Sequence, residues 1–262
     1  MKSQQQSFKQ NNLYNEDSLS FNSSISAWKV TRFLLYIVGS LVILSILSNV
    51  AIYLLPDFPI RDAVARKFLL HEEQTFPTLY SSIALFLGSV LFWIIAQHKS
   101  QLKDKYTLSW KALSGIFTYL ALDELLSIHE NFSRPMHKLG VNGILHNAWV
   151  VPGMIGIAIF CVIFYQFFQH LPRYMKRLLL LSFAIFLGGA ILVEIVGGYY
   201  KYLYGEANLG YSLITTIEES MEMLGVVMLI HALLVYINQL GINSVNINLN
   251  MGQSKNIKSG LN

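Results

Sequence analysis

Residues 212–239 read SLITTIEESMEMLGVVMLIHALLVYINQ. The run exceeds the roughly 20 apolar residues that a bilayer crossing needs, and no Lys or Arg interrupts it. Yet Glu218, Glu219 and Glu222 lie within its first three turns. A charged side chain at bilayer depth costs roughly 2.5–3.5 kcal/mol even on conservative scales, and it faces a bundle interior or a cavity rather than lipid. The stretch therefore predicts a membrane-crossing helix that turns an acidic face towards neighbouring helices.

Five further runs satisfy the same length criterion: residues 33–55, 77–97, 112–130, 148–169 and 178–203. Prolines punctuate them, with Pro56 closing the first, Pro77 opening the second, Pro152 near the start of the fourth and Pro172 just past its end. The chain is 53% hydrophobic and 13% charged, whereas a soluble domain carries about 25% charged residues. The expected fold is an all-α, polytopic transmembrane bundle of about six spans filling residues 29–241 as one domain. Residues 1–28 are rich in Gln, Asn and Ser, and residues 242–262 in Asn and Ser, which predicts disordered tails. These first 28 residues do not read as a secretory signal, which needs an apolar core of about 7–15 residues.

Orientation follows from the basic residues beside the spans. Lys29, Arg32, Lys99, Lys103, Lys105, Lys111, Arg173, Lys176, Arg177, Lys255 and Lys258 fall on one side, and Arg61, Arg66, Lys67, Arg134, Lys138 and Lys201 on the other. The richer side is expected to be cytoplasmic, placing both termini there and the chain in the cell membrane as a multi-pass protein. The net charge of +4 is spread over these flanks rather than gathered in one patch, so nucleic acid is not an expected partner. Membrane lipid is. Tyr199, Tyr200, Tyr202, Tyr204, Tyr211 and Trp149 are expected to anchor the outer interface, and Trp93 and Trp110 the inner one. Cys161, the single cysteine, excludes an internal disulfide and a thiolate metal cluster.

With this topology the string ALDELLSIHE, residues 121–130, puts Asp123, Glu124, His129 and Glu130 in the outer half of the third span. Glu194 lies in the outer half of the fifth, and Glu218, Glu219 and Glu222 in the outer half of the sixth. Only Lys201, at the outer end of the fifth run, offers a basic group inside these segments. On an unbroken helix Asp123, Ser127 and Glu130 share one stripe, while Glu124 and His129 diverge to either flank. This ranks Asp123, Glu130, Glu194, Glu218 and Glu222, with His129, as principal candidates, and Glu124, Glu219 and His146 as secondary ones. His71, Glu72, Glu73 and His137 border the same face. The face Ala190, Glu194 and Gly198 allows close helix approach and directs the carboxylate inward.

Carboxylates with one or two histidines suit a divalent transition metal, Fe, Mn or Zn. The set resembles in outline the four-helix carboxylate sites that hold two metals, but no Glu-x-x-His occurs here, so no family function is carried over. The expected activity is a metal-dependent membrane enzyme, an oxidoreductase or a hydrolase, acting on a lipid-soluble substrate. Two alternatives stand: a cation or proton transporter or channel, and a structural or partner-binding protein with protonated buried acids. Phosphate loops, His-Glu-x-x-His and Gly-x-Ser-x-Gly are absent. RDAVARKFLL, residues 61–70, is expected to form a short amphipathic helix on the outer surface.

Overall fold

The computed structural model describes residues 26–56, 60–70, 72 and 74–242. The expected tails therefore lie outside the described residues, as do His71 and Glu73, except for Ser26, Ala27 and Trp28, which cap and begin the first helix, and Ile242. Six long helices follow in order: α1 (Ala27–Leu54), α2 (Phe76–Gln101), α3 (Thr107–Leu126), α4 (Val150–His170), α5 (Arg173–Tyr204) and α6 (Leu209–Gln239). There is no strand among the described residues. All but α3 are long and apolar enough to cross a membrane. α3 has 20 residues and carries Lys111, Asp123 and Glu124, which dilute its apolar character.

Local chemistry sets several boundaries. Thr75 caps α2 by accepting from the Thr78 N–H, with Pro77 in the first turn where its missing N–H is no loss. Asn208 caps α6 by accepting from the Tyr211 N–H at 3.0 Å. Between α1 and α2 the expected surface helix is one short helix, Arg61–Ala65, followed by a 3-10 turn, Arg66–Phe68. Its end is pinned inward: Leu69 and Leu70 are buried, and the Leu70 N–H donates to Ser45 Oγ at 3.2 Å.

α6 is the central helix and packs against α1, α2 and α5. Hydroxyls tie neighbours through backbone carbonyls, which satisfies polar groups without charge: Ser82 Oγ donates to Ala121 O at 2.7 Å and Ser182 Oγ to Gly225 O at 2.7 Å. Trp110 is 1% exposed and stacks on Tyr236, ring centroids 5.5 Å apart. It is a core residue, not the interfacial anchor its place in the sequence suggested, because α3 turns it towards α6. Trp93 is 47% exposed. α4 is peripheral, with Ile155, Ile159, Val162 and Ile163 all exposed.

Candidate functional site

α3 ends earlier than its apolar run. Ser127 adopts a left-handed conformation, φ 48°, and a 3-10 turn, His129–Phe132, follows. Asp123 organises this break: its Oδ1 accepts the His129 backbone N–H at 2.8 Å and its Oδ2 lies 3.0 Å from His129 Nδ1. The imidazole is thereby held by one nitrogen and presents Nε2. The continuous stripe of Asp123, Ser127 and Glu130 does not form, and Glu130 is exposed on the turn.

α5 departs from α-helical winding over Gly188–Val193, a π-helical segment. Such wider turns recur at functional sites because they shift the phase of side chains that follow. Glu194 is the next residue and is 8% exposed. Its Oε1 accepts from Trp149 Nε1 at 2.6 Å. The Trp149 ring in turn lies 4.7 Å from the His129 ring, centroid to centroid. Trp149 thus links α4, the turn after α3 and α5, where the sequence marked it only as an interfacial anchor. Its place at the expected outer start of the fourth run gave no signal of the donor role, which arises from tertiary contact alone.

On α6, Glu218 is 7% exposed and lies within electrostatic reach of Glu194, and its Oε2 is buried without a hydrogen-bond partner. Glu219 and Glu222 are half-buried. Both interact electrostatically with Glu124 on α3 and with Glu194, and Glu222 also with Asp123. Three helices therefore bring Asp123, Glu124, Glu194, Glu218, Glu219 and Glu222 within electrostatic reach of one another, with His129 alongside. Lys201 turns away to Glu206 at 2.6 Å.

His146 sits apart, 5.5 Å from the His137 ring and 5.7 Å from Tyr202. Its Nδ1 is buried without a partner. Burial lowers its pKa, and the charges of His137 and Lys201 add to the effect against Glu206. Among the described residues no three His, Cys, Asp or Glu side chains stand together as a ready metal-holding group.

Fold and site together define a class: an all-helical protein with five membrane-length apolar helices and a set of buried acids at one end of its helices. The chain belongs to the family described as a domain of unknown function, DUF8692, whose model matches residues 34–237. That match runs from early α1 nearly to the end of α6 and includes every acid named above. No curated protein and no solved structure matches the chain significantly.

Proposed function

We propose that this is a six-span protein of the cell membrane with both termini cytoplasmic, and that its buried acids form a centre for a divalent transition metal acting on a lipid-soluble substrate. Glu218 carries the reading. A carboxylate oxygen nine-tenths buried and lacking a partner is an expensive feature, since an unmet buried acceptor costs about 1–3 kcal/mol and more when charged. A cation at Oε2 offsets that cost. His129 has the arrangement common in metal ligands, one ring nitrogen fixed by a carboxylate and the other available. Fe, Mn or Zn suits such oxygen and imidazole donors, and a metal-bound water or a redox change would supply the chemistry.

The test is elemental analysis of the full chain, extracted in mild detergent without chelators, together with Asp123→Asn and Glu222→Gln. Stoichiometric metal in the parent and its loss from folded variants is the expected result. A parent free of Fe, Mn and Zn overturns the reading.

A second reading rests on the gathering of the acids Glu194, Glu218, Glu219 and Glu222 on two packed helices. Acidic side chains within membrane-spanning segments mark proton and ion pathways. The set could then store and pass protons or another cation. Liposome flux assays that stay flat for protons and cations would remove this alternative.

A further inference from the structure

Below Trp149 the peripheral helix α4 stands off from α5 and leaves a groove of about 310 Å³. Its walls are Met154 and Ile157 of α4 and Leu187, Gly188, Ile191 and Leu192 of α5, all apolar. The volume falls at the small end of the roughly 300–1,000 Å³ typical of ligand pockets. Three of these residues, Gly188, Ile191 and Leu192, belong to the π-helical segment that delivers Glu194.

The groove and the acids meet at one point. A Cβ at Gly153 would lie 3.2 Å from Trp149 Cζ3 and 3.8 Å from Ile191 Cδ1, so the groove wall adjoins the indole that donates to Glu194. In the other direction the groove merges with the exposed apolar faces of its two helices, where Met154, Ile155 and Ile159 of α4 and Leu192 and Val196 of α5 are all exposed. On a bilayer-spanning protein that surface is an interface with lipid hydrocarbon.

We propose that the groove seats the hydrocarbon chain of a bilayer lipid and sets its polar end beside Trp149 and Glu194. This rests on the reading of the acids as a centre for a lipid-soluble substrate, and it names the substrate class: an amphiphile with an extended apolar chain. Three observations choose this occupant. The lining holds no polar side chain for a headgroup or a hydrophilic peptide, the groove is continuous with the lipid interface, and its wall adjoins the indole that donates to a buried acid.

The experiment reconstitutes the full chain in phosphatidylcholine vesicles doped with a phosphatidylcholine bearing a diazirine on its acyl chain, followed by irradiation and mapping of labelled residues. Labelling at Leu187, Ile191 and Met154 should exceed that at Val162 and Ile163, lipid-facing residues outside the groove, several-fold. Ala184→Phe, which places a ring in the groove from an exposed position, should bring it down to their level. Uniform labelling in the parent overturns the proposal, as does a groove that stays unlabelled while Val162 and Ile163 are labelled, which would mean that something other than lipid, such as a second copy, fills it. Metal measured on the same vesicles separates the two readings. Groove labelling without metal removes the metal centre and leaves the port, whereas bound metal with uniform labelling does the reverse.

Discussion

Glu218 brings two carboxyl oxygens into the bundle, and one of them finds no hydrogen-bond partner. Its neighbour Glu194 is better served, by the Trp149 indole at 2.6 Å. Phenylalanine at position 149 would keep an aromatic ring there while removing the donor and the second ring of the indole. Trp149→Phe is therefore expected to destabilise the folded chain by about 1–3 kcal/mol, the cost of an unmet buried acceptor. Denaturant titration in detergent micelles measures it. A double-mutant cycle with Glu194→Leu assigns the loss to this hydrogen bond: once the carboxylate is gone, Trp149→Phe should become nearly neutral. Equal effects of Trp149→Phe in both backgrounds would mean that the indole acts only by packing. The acids themselves were legible in the sequence, since carboxylates in apolar runs stand out by composition. Their partners were not, because Trp149 and Glu194 are 45 residues apart and no local pattern couples them.

Between α5 and α6 the approach is set by glycine. A Cβ on Gly189 would fall 2.7 Å from the Glu218 backbone carbonyl, and one on Gly225 would fall 2.7 Å from the Phe186 backbone nitrogen. Gly189→Ala must push the helices apart and is expected to lower stability by about 1–3 kcal/mol, as overpacking does. Gly39→Ala on α1 meets nothing within 4 Å and should be neutral or stabilising by up to about 1 kcal/mol through helix propensity. Thermal unfolding of the two variants side by side makes the comparison. At the start of α3, Asp104 offers a pH test. Burial opposes its ionisation, but the Tyr106 N–H at 2.8 Å and the Lys99 ammonium at 3.2 Å outweigh that and hold its pKa below the usual value. A depressed acid stabilises the fold above its unfolded pKa of about 4 and loses that contribution as pH falls through its folded value. Asp104→Asn should thus lower the melting temperature at pH 7 and have a shrinking effect below about pH 4. The helices were legible because lipid demands long apolar runs whatever the tertiary detail. Two features were not: the break at Ser127, where a non-glycine residue takes φ 48°, and the π-helical turn before Glu194. The first turns on α3's own Asp123 gripping the His129 backbone six residues on, and the second lies where Gly189 packs against α6, and neither shows in the apolar pattern.

For the whole molecule the question is which face of the membrane receives the acids. The ends of α3 and α6 that carry them are also the ends that meet the connections after α1, α3 and α5, so one orientation decides all three. Basic residues provide the bias, because cytoplasmic loops retain Lys and Arg. The short connections after α2 and α4 with their flanking turns hold Lys99, Lys103, Lys105 and Lys111, then Arg173, Lys176 and Arg177. The opposite connections hold Arg61, Arg66, Lys67, Arg134 and Lys138, with Lys201 at the end of α5. The six-span reading proposed above also needs α3 to cross, despite its 20 residues and three charged side chains; were it to stay on one side, α4 to α6 would run the other way across the membrane. Alkaline phosphatase, active only outside the cytoplasm, reports the answer when fused in turn after residues 104, 140 and 206. The expected pattern is inactive at 104 and active at 140 and 206. Activity at 104 with none at 140 and 206 would invert the protein and turn the acids towards the cytoplasm. Inactivity at all three sites would show that α3 does not span, and the six-span reading would fall.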